Sequence, residues 1–168
     1  MQQEEEEQYS CLEEFFIDSC RFGDYEDAIG CFEDNVDLFW IDINQNNCIH
    51  MVSANGHINI LEQIISYSQK KNIDLHKLIN HQNQYGCTPL HWAVLNNQLA
   101  IITVLLQNGA DITIKNLNGL TCIDEAISLD KAEVIELLSK NISLTEDQQL
   151  TFNEASEIIE KDEEDQVE

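Results

Sequence analysis

The side chains able to do chemistry in this 168-residue sequence are five histidines, six cysteines and 32 carboxylates. Their spacing decides what they can do. His50, His57, His76, His81 and His91 never form His-Glu-x-x-His, the pattern that puts two imidazoles on one helical face around zinc. Cys11, Cys20, Cys31, Cys48, Cys87 and Cys122 include no Cys-x-x-Cys pair, which argues against a zinc ribbon or a redox dithiol. Without a secretion signal a disulfide framework is not expected, and the six thiols read as small apolar groups bound for a core. There is no Gly-x-Ser-x-Gly elbow and no Gly-rich phosphate loop. The pairs Glu13/Glu14 and Glu163/Glu164 belong to charge runs rather than to placed acid–base dyads. Asp162-Glu-Glu-Asp165 lacks the alternating oxygen ligands and the Gly of a calcium loop. The sequence therefore predicts no catalytic residue, no metal site and no cofactor.

What remains is chemistry of surfaces. Eight Lys and Arg oppose the carboxylates, for a net charge of −24. A chain this acidic is not expected to bind DNA or RNA through phosphates. Residues 1–45 carry −13, residues 46–121 carry +1 and residues 122–168 carry −12. The acidic ends are either solvated segments that keep the protein soluble, or arms that receive a cationic partner and speed its encounter. A single Pro excludes a proline-rich scaffold, and 43% hydrophobic residues suffice for a packed core. No apolar run approaches the ~18 residues of a membrane span. The start, Met1 to Gln8, has neither the basic nor the apolar part of a signal peptide. The expected location is cytoplasmic, with shuttling to the nucleus, and the strong like charge predicts a monomer.

The elements that must position any binding residues repeat along the chain. Asn83-Gln-Tyr-Gly86-Cys-Thr88-Pro-Leu90-His91-Trp-Ala93, followed by Leu105-Leu106-Gln-Asn-Gly109-Ala-Asp111, recurs in weaker form 33 residues later. Gly86 falls on Gly119, Thr88 on Thr121, Leu90 on Ile123, Ala93 on Ala126 and Leu105 on Leu138. Backwards, Ile49-His50 falls on Leu90-His91 with a shift of 41, and Gly56 on Gly23 with a shift of 33. Four units result, with second helices starting near Gly23, Gly56, Asn97 and Asp130. Thr88 can cap a helix and Pro89 suits its first turn, where a missing N–H removes nothing. Ile58, Leu61, Ile64 and Ile65 form a helical apolar stripe, as do Leu99, Ile102, Leu105 and Leu106. Gly109 ends its helix and Asp111 is a turn residue. One such unit cannot bury its apolar face alone, so the units must stack.

Gly86-Cys-Thr-Pro-Leu-His-Trp-Ala93 with Gly109-Ala-Asp111 resembles the ankyrin-repeat family in both period and motif, over roughly residues 11–141. The resemblance implies an all-α solenoid of about four stacked helix-turn-helix units with β-turn fingers, acidic tails and a concave binding face. It also implies that His50 and His91 hydrogen-bond neighbouring backbone. Asn47-Cys48-Ile49-His50 lacks the Thr-Pro, and Thr121-Cys-Ile-Asp124 lacks the His. Ile142 stands where Gly109 stands, so the stack should end there. The expected organisation is an acidic disordered segment 1–9, units near 10–41, 42–82, 83–115 and 116–141, and an acidic extension 142–168. In that extension Ser143-Leu-Thr-Glu146 and the spacing of Phe152, Ala155 and Ile159 predict a capping helix over 145–160, with disorder from about Lys161. The insertion 66–76 extends the second helix of the second unit and lengthens its connection to the next finger; it carries Lys70 and Lys71 and reads as tolerated surface or as a contact to a partner outside the groove.

A finer resemblance concerns Ile49-His-Met-Val-Ser-Ala-Asn-Gly-His57, the insertion from Ser66 to His76, and Leu90-His-Trp-Ala93. In this order they resemble the fungal acidic ankyrin-repeat chaperones dedicated to small-subunit ribosomal protein three, which are of the same small size with an acidic C-terminal extension. That resemblance implies an assembly escort for a basic ribosomal protein. A generic adaptor or inhibitor in signalling, and an acidic chaperone of histones or other nucleic-acid binders, are the alternatives.

The repeat shifts predict where a partner binds. Trp92 aligns with Asp18, Met51 and Glu125, a ladder that should border the concave face. Trp92 and Met51 either pack between units or anchor a guest. The fingers should add Asp42, Asn44 and Asn46, then Gln84, Tyr85 and Cys87, then Leu117, Asn118 and Leu120. The expected partner-binding set is Glu14, Asp18, Asp42, Asn44, Met51, Tyr85, Trp92, Leu117 and Glu125. A cationic helix or basic peptide would place apolar side chains on Trp92, Tyr85 and Leu117, and Lys or Arg toward Glu14, Asp18, Asp42 and Glu125.

Overall fold

The computed structural model describes residues 11–141. They form helices and turns with no strand. The helices are α1 (Leu12–Phe22), α2 (Tyr25–Gly30), α3 (Cys48–Asn55), α4 (Ile58–Lys71), α5 (Leu75–Ile79), α6 (Pro89–Leu95), α7 (Leu99–Gln107) and α8 (Cys122–Ser128). A ninth, α9, runs over 132–141. The segments expected to be disordered, 1–9 and from about 161, and the expected helix 145–160 lie outside the described residues.

Helices α1, α3, α6 and α8 stack in that order as an inner row. Helices α2, α4 and α7 form the outer row, and α9 lies beside α7. Equivalent side chains of successive units meet in one core. Phe16, Ile49 and Leu90, one per unit, are all fully buried. All six cysteines are free, and all but Cys11 are buried. Burial pushes the Cys48 and Cys122 thiols up to about 12, so they pack as small apolar groups.

Unit joins unit through histidine. The Thr88 N–H and hydroxyl both donate to Nδ1 of His91, 3.1 and 2.9 Å away. This fixes the neutral tautomer, whose Nε2–H donates 3.3 Å to the Leu120 carbonyl of the next unit. His50 makes the same reach: its Nε2 lies 3.0 Å from the Cys87 carbonyl, and its Nδ1 lies 2.8 Å from Asn47 Oδ1 and 3.3 Å from the Asn47 nitrogen. In the last unit Asp124 stands at this position. Its carboxylate accepts from the Thr121 N–H and hydroxyl at 2.9 and 2.7 Å and so caps only its own helix.

The insertion extends the second helix of its unit, and it is more than tolerated surface. Helix α4 has 14 residues against nine in α7, and the added turns carry Tyr67. Its ring stacks on Phe32 of the first unit with centroids 4.3 Å apart. Lys71 Nζ donates to Asn35 Oδ1 at 2.7 Å. Helix α5 then buries Leu78 and Ile79, and the Leu78 carbonyl accepts from Asn47 Nδ2 at 2.9 Å. The spacing of Leu75, Leu78 and Ile79 gives this short helix one apolar face, which the core takes up. The insertion therefore ties the first two units together.

Three finger turns precede α3, α6 and α8. Gln45, Gly86 and Gly119 hold their left-handed position, with φ of 61°, 72° and 76°. A Cβ on Gly86 would meet the Leu117 backbone nitrogen at 2.8 Å, whereas one on Gly119 meets nothing within 4 Å. Gly119→Ala should therefore lose only the left-handed penalty of about 1–2 kcal/mol, and Gly86→Ala should lose clearly more. Urea unfolding of the two variants measures this, and equal losses would contradict the close approach of the fingers.

Burial pushes His50 down to about 3. Its unfolded value lies near 6.5, so between these values the unfolded chain binds the extra proton. The stability His50 supplies is complete above pH ~6.5 and falls as pH drops toward 3, by up to about 1.4 kcal/mol per pH unit. The difference in unfolding free energy between wild type and His50→Gln should be flat above pH ~6.5 and shrink below it.

Candidate functional site

The concave side is built from the finger turns and the inner helices. Each finger is held by one side chain at its base. Asp42 Oδ1 accepts from the Asn44 and Asn46 N–H groups, both at 2.8 Å. Asn83 Oδ1 accepts from Tyr85 and Cys87 at 2.9 and 3.0 Å, and Asn116 Oδ1 from Asn118 and Leu120 at 3.0 and 3.1 Å. Neighbouring fingers pair through their backbones: Gln84 N–H to the Asn44 carbonyl at 3.1 Å, and Leu117 N–H to the Tyr85 carbonyl at 3.0 Å. The tips thus form a short rigid row. Ile43, Tyr85 and Leu117 stand on it at 95%, 56% and 77% exposure.

Behind the fingers lies a groove of about 400 Å³. Met51, Ala54 and Trp92 give it apolar walls, and Asp42, Asn44, Asn46, Asn55 and Arg21 its polar rim. Trp92 is half-buried, and its Nε1–H is shielded from solvent with no acceptor among the described residues. Met51 is buried at the groove floor. An aromatic wall beside a row of exposed apolar tips suits a peptide-like guest with apolar side chains.

The expected carboxylates are differently placed. Arg21 pairs with Asp18 three residues earlier, and its other nitrogen lies 3.7 Å from Asp42 Oδ2. Arg21 is the one Lys or Arg on the four inner helices α1, α3, α6 and α8. Asp18 and Asp42 therefore share one cation within the chain, and Asp42 is committed to its finger. Glu125 is 8% exposed and accepts from Asn116 Nδ2 at 2.6 Å. Burial pushes its carboxyl above its ordinary value, and the buried group is not displayed to a guest. Glu14 is half-buried in the first turn of α1. Asn44 is a strut: its Oδ1 accepts from Gln84 Nε2 at 2.9 Å. Asn46 and Cys87 are buried and Leu120 half-buried, so the exposed finger row is narrower than the sequence implied.

Two features escaped the sequence reading. Ile43 is missing from the expected set, although the shift of 41 places it on Gln84 and that of 33 carries it on to Leu117. The exposed carboxylates of the first unit are Asp24, Glu26, Asp27, Glu33, Asp34 and Asp37, on α2 and the turn after it. None forms an ion pair among the described residues. Exposed Phe22, Tyr25 and Phe39 lie among them in sequence. The signal was present: six acids and no base between Asp24 and Asp37. Among the described residues no cluster of His, Cys, Asp and Glu is arranged to hold a metal, and no helix is long and apolar enough to cross a membrane.

Comparison with known proteins fits the repeat geometry. The chain is 34% identical to transcription factor MBP1 of Kluyveromyces lactis over 93 residues, half of this chain and 12% of that protein. It is 36% identical to human Ankyrin repeat family A protein 2 over 63 residues, 38% of this chain and 18% of that protein. It is 42% identical to Ankyrin repeat protein 14 of Vaccinia virus over 62 residues, 37% of this chain and 25% of that protein. The chain thus matches a quarter or less of these relatives' length. Residues 17–116, more than half of it, match the family model for ankyrin repeats in three copies. With its stacked helix pairs, paired fingers and histidine bridges, the chain belongs to the ankyrin-repeat family, whose units are protein-interaction modules.

Proposed function

We propose that the chain is a non-catalytic binding module whose concave face holds a segment of a basic protein, and that it escorts a small-subunit ribosomal protein before assembly. The observation that carries the binding reading is the groove at Trp92 beside the uncovered tips of Ile43, Tyr85 and Leu117. Water gains nothing from such a row, whereas an apolar guest would cover it. The net charge of −24 supports a cationic guest. Its basic groups meet the unpaired carboxylates between Asp24 and Asp37 and the acidic terminal segments, rather than Asp18 and Asp42. An unassembled ribosomal protein carries surface built to neutralise RNA phosphates, and it binds RNA nonspecifically unless that surface is occupied. An acidic sheath would occupy it until rRNA competes.

Affinity capture from the native host in moderate salt tests the partner class. One basic ribosomal protein at one to one supports the escort reading. A partner without basic character would favour an adaptor in signalling, and many basic proteins of similar affinity a histone-type chaperone. Against the captured partner, Trp92→Ala should weaken binding by about 2 kcal/mol, roughly thirty-fold, with the helical circular dichroism unchanged. Ile43→Ser, at an exposed tip that does not affect folding, should weaken it as well. Unchanged affinity in both variants would rule out the concave face. Deleting residues 1–9 and 161–168 should slow association at low salt and leave binding intact. Near-total loss on that deletion would assign the binding to the acid runs instead.

A further inference from the structure

Stacking positions can be followed through all four units, and they end uncovered. Cys20, Ser53 and Val94 share one such position and are each at 0% exposure, while Ile127 at the same position of the last unit is 59% exposed. Phe16, Ile49 and Leu90 are at most 1% exposed, and their counterpart Ile123 is half-buried. Ala28, Leu61 and Ile102 are fully buried, and their counterpart Ile135 is half-buried. The last unit therefore presents Ile123, Ile127 and Ile135 on the face that an additional unit would cover. A terminal unit built to meet water carries polar residues there. Asp124, in place of the bridging histidine, makes only a local cap, because a carboxylate has no N–H to donate to the carbonyl of a following finger.

The chain continues for 27 residues beyond Asn141. We infer that residues 145–160 form a helix that seats Phe152, Ala155 and Ile159 on Ile123, Ile127 and Ile135. At 100° per residue these three fall within one 60° arc, whereas Glu146, Asp147, Glu154, Glu157 and Glu160 fall on the opposite side. Such a helix is about 24 Å long, enough to cover the end of a helix pair. Its connector, residues 142–144, keeps it beside the face, where tethering gives an effective concentration in the millimolar range. A second copy has no such advantage and meets the repulsion of two chains at −24 each. The occupant is thus the chain's own extension.

Hydrogen–deuterium exchange on the full chain tests this. Amides of 145–160 should exchange at least about ten-fold slower than in the free peptide 142–168. Ile127→Asp should abolish that protection and leave the slow amides of α1, α3 and α6 slow. Leu129→Asp should keep it, because Leu129 aligns with Phe22, Asn55 and Asn96, which are exposed in every unit. Free-peptide rates in the full chain would overturn the inference, as would protection indifferent to Ile127→Asp. Protection that appears only with rising protein concentration would overturn it in favour of a second copy.

Discussion

The structure depends on one reach: an imidazole at the third position of an inner helix donating to a carbonyl in the next finger. His50 does this to Cys87 and His91 to Leu120. The bond sets the register of one unit on the next, and therefore the spacing of everything displayed on the fingers. At His91 it requires a neutral ring, because Nδ1 accepts from the Thr88 cap while Nε2 donates. Burial supplies that neutrality by holding the buried imidazoles below their ordinary range. Packing, protonation and register are thus one constraint. Where the imidazole is replaced by Asp124, the reach stops among the described residues.

Most of the architecture was legible because the family motif is local. Thr88, Pro89, His91 and Gly86 each fix a cap, a turn or a bond within a few residues or one unit of themselves, so their spacing alone predicts units and boundaries. The insertion was harder to read. Its role rests on the stacking of Tyr67 on Phe32 and on the bond from Lys71 to Asn35, both contacts between segments some 35 residues apart. A repeat alignment treats such residues as excess. Their apolar spacing was visible, but not what it would meet.

The sequence located the apolar residues of the groove and the finger tips, but not the internal partners of the nearby carboxylates. Trp92 and Met51 follow from the ladder of equivalent positions, and Tyr85 and Leu117 from the finger tips. Asp18, Asp42 and Glu125 follow from the same ladder but are consumed internally, by Arg21 or by burial beside Asn116. A sequence counts charges and does not show which have partners. The uncommitted carboxylates are instead on α2 and the turn after it, away from the groove lining.

The pairing of Arg21 with Asp18 and Asp42 has a kinetic meaning. It offsets part of the negative charge at the cavity beside Trp92, so for the proposed guest shape and apolar fit there would govern how long it stays. The long-range field belongs to uncompensated groups elsewhere on the chain, which govern how often a guest arrives. Capture and retention are thereby assigned to separate parts of the molecule, and added electrolyte would slow the first far more than it hastens loss of the second.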